Sequence, residues 1–187
     1  MSKTSKNEQK IAVIDIGSNS IRLVIFDRYG RYPYPLFNER ITCRLGADLK
    51  KTKMLRVDRI EHALLTIKRF SNIIKSAKLR NVHAIATAAA REAKNADEFL
   101  IPAEKLLGFK IKVLSGDQEA NLVADGLLSN IPDASGVIAD LGGGSVELIR
   151  VQSGLVCNTA SLNFGHLSDL SEQKIISELK KLNWLQM

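Results

Sequence analysis

Residues 11–26, IAVIDIGSNSIRLVIF, decide how the rest of the chain is read. Two short apolar runs rich in branched side chains, 11–16 and 21–26, flank the small turn Gly17-Ser18-Asn19-Ser20, a pattern that predicts a β-hairpin. The device returns later in the chain. DIGSNSIRLVI at 15–25 aligns with DLGGGSVELIR at 140–150 at one constant offset, setting Asp15 on Asp140, Gly17 on Gly142, Ser20 on Ser145 and Leu23 on Leu148. Two copies of one strand-turn-strand unit are therefore expected.

A turn built of Gly and Ser leaves backbone N–H groups facing one concavity, where phosphate oxygens can approach without meeting bulky side chains. Gly17, Ser18 and Asn19 in the first copy and Gly142, Gly143, Gly144 and Ser145 in the second suit that use; the plainer reading of each is a tight hairpin. Asp15 and Asp140 each close an apolar strand, where a carboxylate is costly unless it meets a cation or donors. Mg²⁺ or another divalent cation fits, because it takes one or two carboxylates together with water and substrate phosphates. Arg22, just past the first turn, can aim a guanidinium back at the same anion, or can be a solvated strand residue. Arg91, in ATAAAREAKN, reads equally as an anion clamp or as a helix-surface arginine. Glu119 falls in the first turn of a predicted helix, which the helix dipole favours by itself; a functional carboxylate there would orient or deprotonate a water.

Between the two copies the pattern alternates. A Pro-containing stretch leads into a predicted strand ERITCRL and Gly46. An amphipathic helix follows through Ile60, Leu64, Ile67, Phe70, Ile74 and Ala77, with Asp58 and Glu61 placed as a capping pair. Then come a strand (82–87), a helix interrupted by Pro102 (95–108), a strand (111–115) and a helix (116–130). The breaker-rich loop IPDASG at 131–136 is the expected domain boundary. Three strands, GVIAD, SVELIRV and LVCNTASL, and a helix at 171–182 complete an α/β pattern. The reading is a basic flexible tail (1–10), a first lobe (11–130) and the start of a second (131–187).

The chain has 187 residues and 45% hydrophobic content, enough for one ordinary domain or two small ones. It shows no run of about 18 apolar residues and no signal-peptide pattern, which points to a cytoplasmic protein with no membrane partner. Cys43 and Cys157 suggest neither a disulfide framework nor a zinc site. His62, His83 and His166 show no ligand spacing. Residues 40–80 hold twelve Lys or Arg against Asp48, Asp58 and Glu61, a balance of +9, whereas the rest of the chain carries −2. That excess suits a polyanionic partner or, more plainly, a basic solvated helix face.

Taken together, AVIDIGSNSIRLVI, CRLGADL, ATAAAREAKN, VLSGDQEANL and IADLGGGSVELI resemble, in order, the motifs of the exopolyphosphatase and guanosine pentaphosphate phosphatase (Ppx/GppA) family. The likeness runs from about residue 11 to about residue 170, and ASLNFGHLSDL is a drifted version of a further family segment. The resemblance implies two actin-like, ribonuclease-H-like lobes, each with a phosphate loop, the first complete and the second truncated. It implies Glu119 as the catalytic residue that activates water and Asp15 and Asp140 as holders of the divalent metal. Arg22, Arg91 and the two turns would bind phosphate. The implied substrate is inorganic polyphosphate or pppGpp, with no specific nucleic acid partner. The 40–80 segment would be a polyphosphate track.

Relative to that family pattern, the chain stops after the first strands and one helix of the second lobe. As a phosphatase the chain is then expected to be active alone, or to have its cleft completed by a homodimer partner or by a separately encoded second half. The ending KKLNWLQM reads as sequence standing in place of the family's continuation, with Trp184 exposed or newly packed. The competing readings are a catalytically incompetent remnant that keeps the phosphate loops, and another actin-like nucleotide binder such as a sugar kinase or a chaperone ATPase. The SGDQEA glutamate and the TAAAREA arginine argue against the last.

Overall fold

A computed structural model describes residues 9–30, 32–168 and 171–185. Most of the basic tail expected at 1–10, the final residues of ASLNFGHLSDL and the last two residues of the chain lie outside that range. The chain divides into two compact units, Met1–Val113 and Leu114–Met187.

In the first unit, β1 (Ile11–Ile16), β2 (Ser20–Phe26) and β3 (Pro35–Thr42) form an antiparallel ribbon. Two strands, β4 (Asn81–Ala86) and β5 (Lys112–Val113), run parallel to β1, giving the sheet order β3-β2-β1-β4-β5. The expected third strand, 39–45, begins earlier than the sequence suggests. Pro35 is tolerated because it opens an edge strand, where its missing N–H costs no ladder bond. Ala12, Ile14 and Ile16 of β1 and Ile21, Leu23 and Ile25 of β2 lie on one face, where they bury against Ile60, Ala63, Ile67, Phe70 and Ile74 of α2 (Val57–Ser76) and Phe99 and Ala103 of α4 (Ala96–Leu107). Two short helices escape the apolar periodicity, α1 (Leu49–Thr52) and α3 (Ala88–Glu92), each too brief to show it. The capping pair expected at Asp58 and Glu61 does not form. Arg56 is the N-cap of α2 and makes no side-chain cap, while Asp58 accepts from Arg56 Nε at 3.0 Å.

The second unit is a meander of β6 (Gly136–Leu141), β7 (Val146–Gln152) and β8 (Leu155–Leu162), with β7 in the middle. Strand β7 is covered on both faces, which explains its nearly unbroken burial. Ile149 and Val151 pack on Ala120 and Ala124 of α5 (Gly116–Leu128). Val146 and Leu148 pack with Phe164 and with Ile175 and Leu179 of α6 (Glu172–Lys180); the partly buried Trp184 joins this cluster. The division between units falls before α5 and not at the 131–136 loop. Helix α5 belongs with the second unit because its small residues cover β7.

Candidate functional site

The two copies of the repeat close in the same way. Gly17 N–H donates to Ser20 O at 3.0 Å, and Gly142 N–H to Ser145 O at 2.9 Å. In both, a Cβ on the glycine would stand 3.2 Å from that serine carbonyl. Beyond the third strand of each unit the chain turns back and clasps its turn. Cys43 and Arg44 N–H donate to Asn19 O and Gly46 N–H to Ser18 O at 2.8 Å; His166 N–H donates to Gly142 O and Leu167 N–H to Gly143 O at 3.1 Å. With these carbonyls taken, no backbone carbonyl among the described residues takes the N–H of Ser18, Asn19, Gly143 or Gly144. Successive turn N–H groups of this kind are what an anion-binding nest is built from.

Around the first turn the structure gathers Asp15, Gly17, Ser18, Asn19 and Arg22. Asp15 and Arg22 are cross-strand partners, both exposed, on the sheet face opposite α2. Arg22 Nε donates to Asn38 Oδ1 at 2.9 Å. Helix α3 starts beside the end of β1, its cap Thr87 donating N–H to Ile16 O at 3.2 Å, and carries Arg91 in its last turn. Arg91 is thus a half-buried helix residue next to the strand that leads into the turn, with its Nη2 4.0 Å from Glu92 Oε1.

In the second unit, Asp140 is exposed at the end of β6 and its cross-strand partner is Glu147, which is 1% exposed. The repeat offset sets Glu147 on Arg22, so the two turns are followed by opposite charges at one position. Glu147 is the functional candidate missed from sequence, although it stands within the aligned repeat, 140–150, at the position of Arg22. It shares a face with Ile149 and Val151, the face covered by α5, and Ser161 of β8 donates its hydroxyl to Glu147 Oε1 at 2.9 Å. Glu119 stands in the first turn of α5, whose N-cap Ser115 forms a reciprocal capping box with Gln118. Burial, and then the neighbouring Glu119 carboxylate, push the Glu147 carboxyl above its ordinary range; the Ser145 and Ser161 hydroxyls oppose this and Asp140 adds to it. Two carboxylates, Glu119 and Asp140, therefore act on the buried Glu147 carboxyl beside the Gly142–Ser145 turn.

Among the described residues, no three His, Cys, Asp or Glu side chains converge closely enough to form a ready cage for a metal ion. Mg²⁺ does not require one, since it is commonly held by one or two carboxylates with water and phosphate oxygens completing its shell. Asp140, an exposed carboxylate beside the Gly142–Ser145 turn, and Asp15, exposed beside the first turn, are oxygen donors of the kind that Mg²⁺ takes, so the donor chemistry fits. No helix among the described residues is long and apolar enough to cross a membrane.

The family model of the Ppx/GppA phosphatases matches residues 24–174. Among solved structures, an exopolyphosphatase from Cytophaga hutchinsonii is 28% identical with a TM-score of 0.79, the match covering 91% of this chain and 53% of that one. A PPX-GPPA enzyme from Aquifex aeolicus is 34% identical with a TM-score of 0.68, over 84% of this chain and 53% of that one. A Bacteroides thetaiotaomicron protein with an actin-like ATPase fold, at 9% identity and a TM-score of 0.56, shares the fold. The chain spans about half the length of each of these two enzymes.

Proposed function

The chain belongs to the Ppx/GppA phosphatase family, and from that premise we propose that it serves a phosphoanhydride hydrolase that removes terminal orthophosphate from inorganic polyphosphate or the 5′-phosphate from pppGpp. The observation that carries the reading is the pair of identically closed glycine turns, with the carboxylates Glu119, Asp140 and Glu147 beside the second. Each unit brings its own phosphate-binding groups: the N–H groups of Ser18 and Asn19 with Arg22 and Arg91 in the first, and the N–H groups of Gly143 and Gly144 in the second. Glu119 orients a water and takes its proton as the water oxygen attacks the terminal phosphorus. The bond from that phosphorus to the bridging oxygen breaks, and the shortened chain leaves on that oxygen. Asp15 in its unit and Asp140 in its own are the carboxylates that would hold a divalent cation, Mg²⁺ in this reading. Such an ion supplies charge neutralisation at the phosphoryl group. Glu147 sets the charge beside Asp140.

Orthophosphate release from long-chain polyphosphate by the purified chain, with and without Mg²⁺ and beside Glu119→Gln, tests this. Release that requires Mg²⁺ and vanishes in the variant supports it. A folded chain that releases no orthophosphate and binds no tripolyphosphate overturns it.

A further inference from the structure

His166 lies just past β8 and meets the second turn twice. Its backbone N–H donates to Gly142 O at 3.0 Å, and its ring Nδ1 stands 2.9 Å from the same oxygen. A carbonyl oxygen only accepts, so Nδ1 carries the proton of that contact, in the neutral ring and in the imidazolium alike. Leu167 N–H donates to the next carbonyl, Gly143 O, at 3.1 Å. No peptide bond among the described residues is cis, and across a trans peptide the C=O and the following N–H point in opposite directions. Holding Gly142 O and Gly143 O toward His166 and Leu167 therefore turns the N–H groups of Gly143 and Gly144 to the other side, where no backbone carbonyl among the described residues takes either.

The turn does not impose that orientation by itself. Gly142, Gly143 and Gly144 are three consecutive residues without a Cβ, and a rotation of the Gly142–Gly143 peptide would present its oxygen to an anion in place of its N–H. Each turn has one carbonyl that takes two donors. In the first turn it is Asn19 O, and both donors are backbone, the N–H of Cys43 at 3.0 Å and of Arg44 at 2.8 Å. In the second it is Gly142 O, and one of the two donors is the His166 ring.

We propose that His166 is a positioning residue for phosphate binding at the second turn. Its Nδ1–H fixes the Gly142–Gly143 peptide with the Gly143 N–H toward the anion and, by polarising the carbonyl, strengthens that N–H as a donor. The inference rests on the hydrolase reading above and adds a residue whose sequence context shows no ligand spacing. The ring acts across the peptide and does not itself touch the phosphate.

The test is titration of the ¹⁵N-labelled full chain with tripolyphosphate, with affinity read from the Gly143 and Gly144 amide signals and melting temperatures recorded alongside, for wild type, His166→Ala, His166→Asn and His166→Gln. The amide nitrogen of asparagine stands where Nδ1 stands, whereas that of glutamine stands nearer the place of Nε2. His166→Ala and His166→Gln should weaken binding about 2–10-fold, and His166→Asn should stay within about 2-fold of wild type. The ring nitrogen signals of ligand-free wild type should show the Nδ1–H tautomer in the neutral ring. An Nε2–H tautomer overturns the proposal, as does unchanged affinity in His166→Ala or a loss that asparagine does not recover. Tripolyphosphate that shifts the Ser18 and Asn19 amides but not those of Gly143 and Gly144 overturns it too, and leaves the first turn's part in the hydrolase reading standing. A folded wild-type chain that responds at neither turn removes the hydrolase reading and the role of His166 together.

Discussion

Replacing Gly165 by alanine tests whether the clasp behind the second turn determines the shape of that turn. An added Cβ would meet Gly142 O and would lie 2.5 Å from Gly143 C and 2.6 Å from Gly143 O. Carbon atoms prefer separations of about 3.5–4.0 Å, so the two backbone segments must part by roughly 1 Å. Backbone cannot swing aside as a side chain can. The bonds from His166 N–H to Gly142 O (3.0 Å) and from Leu167 N–H to Gly143 O (3.1 Å) would be stretched out of range by that movement. Overpacking at about 1–3 kcal/mol, together with two lost hydrogen bonds at about 0.5–1.5 kcal/mol each, gives a cost of about 2–6 kcal/mol. For a unit of this size that is a fall of at least about 8 °C in the melting of the second unit. Circular dichroism melts of the full chain, read beside tripolyphosphate affinity, measure both consequences. A Gly165→Ala chain that melts within about 2 °C of wild type with unaltered affinity would refute the argument that the clasp shapes the turn.

Three further outcomes are expected. Gly126 lies in α5 with nothing within 4 Å of an added Cβ, so Gly126→Ala should stabilise by about 0.5–1 kcal/mol, and a lower melting temperature would contradict this. Because the Glu147 carboxyl is raised in the folded state, the native chain holds a proton there that the unfolded chain gives up. Stability should therefore fall as pH rises from the ordinary glutamate range through the raised value. Glu147→Gln should melt higher than wild type at neutral pH and converge with it in acid; a constant difference across that range would count against the assignment. Lastly, burial pushes the Cys43 thiol up while Cys157 is exposed, so a maleimide should label Cys157 in the native chain and reach Cys43 only on unfolding. Mass spectrometry of the labelled peptides reads the result.

Much of this molecule was legible in one dimension because its signals are local. The β1–β2 hairpin, the α2 periodicity and the Asp-Gly-Ser repeat are each carried within short stretches, and the constant offset between the repeats is a property of the chain alone. Asp15, Arg22, Asp140 and the two turns follow from that offset, and their closed geometry repeats as it implies. The pairing of Arg22 with Arg40 is not legible that way: it depends on the register of β3 against β2, and a one-residue slip would send Arg40 to the other face. Glu147 sat within reach of the repeat, but its importance comes from being buried under α5 near Glu119, which only packing creates. The same packing moved the unit boundary ahead of α5, because loops rich in breakers mark where a chain turns, whereas a boundary between units is decided by which sheet a helix covers.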